Sequence, residues 1–376
     1  MTRHSRFLRV AVIMAGGAGE RFWPLSRRNR PKQLLALNHP DRSMLSEAVE
    51  RCTALVGLEH TYIITGSHLV DAICDAEPAF PRENVLAEPE KRNTAGALAY
   101  TVAWMLAKYP EAGPEGISMA VTTADHRIGD EERLLAAMRT AMTAAEEKES
   151  LVTCGIVPTR PETGFGYIEA AAGEPVLASE GDAPPVYQAV AFHEKPDAER
   201  AARFVADGRH FWNSGMFFWR VSIFLDELRR AQPGIAETIG ALVQAMCLKN
   251  VEEVSRLFST IHSVSIDYAL MEKSERVLMV RGDFPWGDVG SWNAVALRGH
   301  CSPSGNHIVG NPVLVDCTDC IVVNEPGEGE MAVAVVGMSD VIVVAAKDAF
   351  LVLPKERAQD VRTVVEELKR RGARQV

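Results

Sequence analysis

Residues 10–33, VAVIMAGGAGERFWPLSRRNRPKQ, decide the fold. The apolar run 10–14 predicts a buried parallel strand. Ala15, Gly16, Gly17, Ala18 and Gly19 then form a turn almost free of side chains, so backbone N–H groups can approach anionic oxygens closely. Arg21 adds a cation two residues after the last glycine, and Lys32 adds another beyond a loop bounded by Pro24 and Pro31, whose rings restrict the backbone. Two cations beside a ring of amides suit a triphosphate. The spacing is neither G-x-x-x-x-G-K-[ST] nor G-x-G-x-x-G, because Phe22 stands at the last glycine position; the P-loop ATPase and the dinucleotide dehydrogenase lose support. A glycine turn made only for tight strand-to-helix packing is the competing reading, and the Arg and Lys that follow weaken it.

Working outward, apolar strands alternate with helical patterns: a helix through 44–55, a strand at 61–65, a helix near 69–74, a helix over 93–108 and a strand at 117–122. This predicts an α/β, Rossmann-like, mostly parallel sheet with helices on both faces and ligands at the carboxyl ends of its strands. From about Gly305 the pattern changes to short runs such as IVGNPVLVD and VIVVAA, which predict a smaller C-terminal β domain. The expected division is 1–300 and 301–376. Residues 356–371 read as an amphipathic helix with Ala358, Val361, Val364, Val365 and Leu368 on its packing face.

A chain of 376 residues exceeds what one core usually serves, and 47% hydrophobic with 24% charged residues is ordinary for a globular enzyme. A formal net charge of −10 argues against nucleic acid or an anionic membrane as partner. The seven cysteines are scattered; Cys317 and Cys320 form a C-x-x-C pair without the further ligands a zinc site needs, so buried thiols are expected. The basic leader MTRHSRFLR precedes too short an apolar run for a signal sequence, and no uninterrupted apolar run is long enough to span a bilayer, so a cytoplasmic location is expected.

Asp125, in T-T-A-D-H at the end of a predicted strand, can hold Mg²⁺ (or Mn²⁺) against a triphosphate, although Asp after a strand is also a common turn former. Asp288, between glycines and tryptophans in F-P-W-G-D-V-G-S-W, is a candidate second carboxylate; a turn beside a core tryptophan pair is the alternative. His126 reads as a nucleotide contact, a neighbour of the metal ligands or a structural residue.

G-G-A-G-E-R-F-W-P-L-S with R-P-K-Q behind it resembles the signature of sugar-phosphate nucleotidylyltransferases, most closely mannose-1-phosphate guanylyltransferases. The resemblance spans nearly the whole chain. It implies attack of a hexose 1-phosphate on the α-phosphorus of a nucleoside triphosphate, here GTP and mannose 1-phosphate, with release of pyrophosphate. It also implies Arg21 and Lys32 as catalytic cations, Asp125 and Asp288 as metal ligands, a partial left-handed β-helix for the C-terminal domain and a homodimer through it. Three segments match the family's sugar-binding segments: G-F-G-Y-I-E with Gly166 and Tyr167, F-H-E-K-P with Glu194 and Lys195, and W-N-S-G-M with Asn213. Glu88-Pro89 with Arg92, Asn93 and Thr94 matches the segment beside the base, which makes Glu88 the reader of the guanine donors; Asn93 or Thr94 also suits a helix cap. Thr122-Thr123 replaces the more usual Leu-Pro before A-D-H, and Gly96 replaces a proline after R-N-T-A. The chain is expected to lack the isomerase domain, and the activity, of bifunctional relatives. Transfer of another base or to another hexose, or a silent sensor of nucleotide sugars, are the rival readings.

Overall fold

The structure, a computed structural model, describes residues 6–17, 19–295, 302–326 and 331–376. Ala18, most of the basic leader and Cys301 lie outside them. The strands are β1 (Leu8–Met14), β2 (Thr61–Gly66), β3 (Val85–Glu88), β4 (Ile117–Thr123), β5 (Arg127–Ile128), β6 (Leu151–Ile156), β7 (Tyr167–Ala170), β8 (Val186–His193), β9 (His210–Arg220), β10 (Val277–Gly282) and β11 (Trp286–Gly287). A C-terminal set follows: β12 (His307–Val309), β13 (Val313–Val315), β14 (Ile321–Asn324), β15 (Ala334–Val336), β16 (Val341–Ala345) and β17 (Phe350–Pro354).

Among the described residues, contacts gather into two compact units that do not follow chain order. One comprises Met1–Ala15, Ala48–Thr123 and Ile128–Trp286; the other comprises Gly16–Glu47, Ala124–Arg127 and Gly287–Val376. The glycine turn, the loop carrying Lys32 and the A-D-H segment therefore group with the C-terminal strands, whereas the chain order had put them with the large sheet.

The first unit is built on a nine-stranded sheet in the order β3-β2-β1-β4-β9-β6-β10-β8-β7, with β9 also pairing β7. Strands β3, β2, β1 and β4 are parallel, as are β6 and β10; β9 enters antiparallel to both β4 and β6. The sheet is thus mixed, and its parallel half is the one predicted from the alternating pattern. Val10, Ala11, Val12 and Ile13 of β1 are fully buried, as a central strand covered on both faces requires. Met14 at the end of β1 lies opposite Thr123 at the end of β4, so the glycine turn and A-D-H leave adjacent carboxyl ends, where strand order reverses. Asp130, Asp197 and Asn250 cap the helices Glu131–Glu147, Ala198–Asp207 and Val251–Ser259, each side chain accepting a backbone N–H three residues on. Gly96 sits in the helix Asn93–Lys108 because a Cβ there would stand 2.4 Å from Arg92 Cβ, which accounts for the departure from proline.

In the second unit, β12, β14 and β16 stack in parallel register, β13 and β15 form a second parallel stack, and Thr318 bridges Ser339 on a third side. These are successive coils of a β-helix, closed by β17 antiparallel to β16. Asp316, Asp319, Asp340, Gly310 and Gly337 turn its corners with positive φ. Gly310 is obligatory, since a Cβ would lie 2.3 Å from Asn324 O. Cys317 and Cys320 are buried thiols, not bridged to each other, among Val322, Val335 and Val343, as expected for structural cysteines.

A second core joins Phe22, Trp23, Leu35 and Trp292 to Ile321, Ile342, Val344, Ala358, Val361 and Val365. The C-terminal helix runs Val361–Arg370 behind a 3-10 segment Lys355–Asp360; Val361 and Val365 are buried, whereas Val364, expected on the packing face, is exposed. Among the described residues, no helix is long and apolar enough to cross a membrane.

Candidate active site

Glycine sets the geometry of the phosphate turn. Gly19 has φ 61°, and a Cβ on it would fall 2.2 Å from Lys32 Cβ, so the turn and the lysine loop close on each other only at glycine. Gly17 is different: nothing lies within 4 Å of where its Cβ would stand, so the missing side chain leaves open space beside the backbone. Ala15 differs from its sequence reading, because its N–H donates to Ile64 O at 2.9 Å and its carbonyl accepts from Thr65 Oγ1. The exposed Gly16 and Gly17 offer amides beyond it.

Lys32 is buried, yet its ammonium is engaged on two sides. It donates to Asp125 Oδ2 at 2.9 Å and to the backbone carbonyl of Asp288 at 2.7 Å. One side chain thereby ties together the two segments that carry the expected metal carboxylates. Its Nζ also lies 5.8 Å from the centre of the Phe22 ring. The Asp125 side chain is 41% exposed. Arg21 stands beside Asp288: a Cβ on Gly290 would meet Asp288 Oδ2 at 3.1 Å and Arg21 Nη1 at 3.3 Å. Burial, with the nearby Arg362 cation, holds the Arg21 guanidinium below its usual range against the opposing pull of Asp288 and Asp125. It remains a cation at neutral pH.

Aromatic packing holds this arrangement. Trp292 meets Phe22 edge-on at 5.3 Å and donates its indole N–H to Trp23 O, while Trp23 donates to Gln375 O. Gln359 accepts from Arg21 Nη1 at 3.2 Å, and Lys369 pairs with Glu20. The C-terminal helix thus braces the arginine turn, a contact its amphipathic pattern did not specify. His126 is buried, and its carbonyl accepts from Asn38.

In the first unit, Gly166, Glu194 and Asn213 converge. A Cβ on Gly166 would lie 2.5 Å from Glu194 Oε2, and Asn213 N–H donates to Gly166 O at 2.8 Å. Lys195, with φ 44°, pairs its ammonium with Glu194 Oε1 at 3.1 Å. Asn213 Nδ2 donates to Asp267 Oδ1 at 2.8 Å. Asp267, absent from the sequence reading, opens a π-helical turn, and burial pushes its carboxyl up, with Glu194 adding to the rise. The only local sign of it was an aspartate between apolar residues after a serine-rich loop, which many structural turns share. Tyr167 is fully buried and its hydroxyl accepts the Glu162 N–H, so it orders the loop before Gly166.

Glu88 closes β3, buried, with Oε2 lacking a hydrogen-bond partner; burial pushes its carboxyl up to about 7 against the pull of Lys91. Nearby, Asn93 Oδ1 accepts the Thr94 N–H and Thr94 Oγ1 accepts the Ile266 N–H. Both side chains therefore shape the helix start, and Thr94 fastens it to the segment that leads into Asp267.

Comparison with known proteins bears on this geometry. Residues 10–297 match the family described as "Nucleotidyl transferase", and residues 310–368 match "MannoseP isomerase/GMP-like beta-helix domain". The chain is 37% identical over 378 residues to a mannose-1-phosphate guanylyltransferase of Escherichia coli, covering 96% of this chain and 74% of that one. It is 36% identical over 370 residues to the alginate biosynthesis protein AlgA of Pseudomonas aeruginosa, covering 96% and 73%. A solved structure from Thermus thermophilus, described as a mannose-1-phosphate geranyltransferase, superposes with a TM-score of 0.83 at 34% identity, covering 96% of this chain and all of that one.

Proposed function

The chain belongs to the nucleotidyl transferase family, among its mannose-1-phosphate guanylyltransferases, and from that premise we propose how its residues transfer GMP from GTP to mannose 1-phosphate. The observation that carries the proposal is the Lys32 ammonium bound at once to Asp125 and to the Asp288 backbone, with Arg21 beside Asp288.

The attacking phosphate oxygen is already an anion near neutral pH, so little general-base work is required. The barrier is repulsion between phosphates, and preorganised positive charge lowers it. In this reading Arg21, Lys32 and the amides of the glycine turn neutralise the α-phosphate and the departing pyrophosphate. Asp125 and Asp288 supply only oxygen donors, which suits Mg²⁺ or Mn²⁺. When bound, such an ion screens the triphosphate charge. On the sugar side Glu194 and Asn213 take the hydroxyls, with Asn213 held in orientation by Asp267, and Lys195 takes the sugar phosphate. Asp267→Asn replaces the carboxyl that accepts from the Asn213 amide. KM for mannose 1-phosphate should rise about tenfold at nearly constant kcat, in line with the loss of one hydrogen bond. An unchanged KM would detach Asp267 from the sugar.

Glu88 is the proposed reader of guanine, its unpartnered oxygen offering an acceptor for N1–H and N2–H. Its carboxyl titrates at about 7, above the usual range, because burial disfavours the charge. The raised value makes ionisation of Glu88 cost stability progressively as pH climbs from the ordinary carboxylate range to about 7. Guanine binding favours the ionised form, so KM for GTP should rise as pH falls below 7 and Glu88→Gln should flatten that dependence. Pyrophosphate release with mannose 1-phosphate across the four nucleoside triphosphates, in wild type and Glu88→Gln from pH 6 to 8.5, tests both levels. Release with GTP foremost supports the transfer. Release foremost with another triphosphate discards the base assignment, and none with any sugar phosphate discards the activity.

A further inference from the structure

The pairing of β7 with both β8 and β9 gathers a second cluster. Register places Glu169 opposite His210 and Tyr167 opposite His193, so Glu169, His193 and His210 share one face. Glu169 Oε2 lies 3.3 Å from His193 Nε2 and 3.8 Å from His210 Nε2, and the three donor atoms all fall within 4.8 Å of one another. Ligands at about 2.1 Å from a tetrahedral ion are roughly 3.4 Å apart, close to these separations.

His210 supplies an independent pointer. It is 4% exposed, stacked on Phe204 at 3.9 Å, and its Nδ1 meets Asp207 Oδ1 at 2.9 Å. A carboxylate only accepts, so Nδ1 donates its proton to Asp207 and Nε2 is the nitrogen turned toward the Glu169 carboxylate. Nε2 has no hydrogen-bond partner. A buried ring nitrogen facing a carboxylate beyond hydrogen-bond distance leaves a place for a cation between them, and a carboxylate-oriented histidine is the usual support of a metal ligand.

We propose that Glu169, His193 and His210 form a binding site for a divalent transition metal ion of the Zn²⁺ class, oriented by Asp207. Two imidazoles and one carboxylate suit Zn²⁺ or Co²⁺ over Mg²⁺ and leave a further position for water. Arg209 lies 3.6 Å from the other Glu169 oxygen. Arg200 approaches His193 Nδ1 at 3.5 Å from the exposed side, so binding through Nε2 places the ring proton on Nδ1 and turns Arg200 into solvent. The ion would tie β7, β8 and β9 together just before Glu194 and Lys195.

The test uses untagged full-length protein stripped with chelator and titrated with Co²⁺ in the absence of nucleotide and sugar phosphate. The expected result is one equivalent with the intense visible bands of a four-coordinate nitrogen-containing site, displaced by Zn²⁺, and a Zn²⁺-dependent rise in Tm. Glu169→Gln and His193→Gln should abolish the bands, Asp207→Asn should weaken binding about 10- to 100-fold, and Asp125→Ala should leave the bands unchanged. His193 is only partly buried, so its substitution gives a folded reference if a change at His210 does not. Bands missing from wild type, or surviving both glutamine substitutions, would overturn the site.

Discussion

Arg21→Ala should lower kcat by about a thousandfold, on the order of 4 kcal/mol of barrier, with a much smaller change in KM for either substrate. The guanidinium stands beside Asp288, feels the charge of Asp125 and is partly desolvated, which strengthens its field where negative charge must be brought together. Removing a preorganised cation from phosphoryl chemistry removes an interaction that grows in the transition state, so the loss falls on kcat. Arg21→Lys should recover only part of the rate, because an ammonium lacks the planar fork that meets two phosphate oxygens and the Gln359 carbonyl together. Single-turnover kinetics with saturating GTP and mannose 1-phosphate provide the measurement. A raised KM at wild-type kcat would show Arg21 to be a uniform binding residue.

Lys32→Met keeps the stem volume and removes the charge. Two losses follow: the positive charge near the phosphates, and the ammonium that holds the Asp125 carboxylate and the Asp288 carbonyl in one arrangement. kcat/KM should fall on the order of 10²- to 10³-fold. Losing the charged donor to the Asp288 carbonyl should also cost about 1–3 kcal/mol of stability, read as a lowered Tm. The decisive comparison is a cycle with Asp125→Asn. Partners in one network are not additive, so the double variant should be little worse than the poorer single variant. Strictly additive losses would mean that Lys32 and Asp125 act separately.

The glycine turn, Arg21, Lys32, Asp125 and Asp288 stand out in the chain because their signals are local, and the structure brings Lys32 to both aspartates. Tryptophan packing and an aspartate beside the cations are not alternatives in W-G-D-V-G-S-W: Trp292 is core, and Asp288 lies beside Arg21 and Lys32. Less legible was the commitment of individual polar groups. Ala15 reads as a phosphate amide, yet its N–H belongs to Ile64 of a neighbouring strand. Tyr167 reads as a sugar contact, yet its hydroxyl serves the Glu162 amide. Asp267 carries no motif and becomes conspicuous only when Asn213 is found donating to it.

The sequence by itself determined the kind of chemistry: a strand that must be buried, a turn that only glycine can make, fixed cations and hard oxygen donors, and a C-terminal run of short strands. Backbone freedom, formal charge and apolar periodicity are properties of a residue and its chain neighbours. Tertiary structure alone decided that Phe22 and Trp23 pack with the β-helix strands, that Lys32 joins two aspartates, that Gln359, just before the C-terminal helix, holds Arg21, and that Glu88 is buried enough to titrate at about 7. Hydrogen-bond partnership and desolvation depend on atoms brought together from distant parts of the chain, and no local pattern encodes which ones will meet.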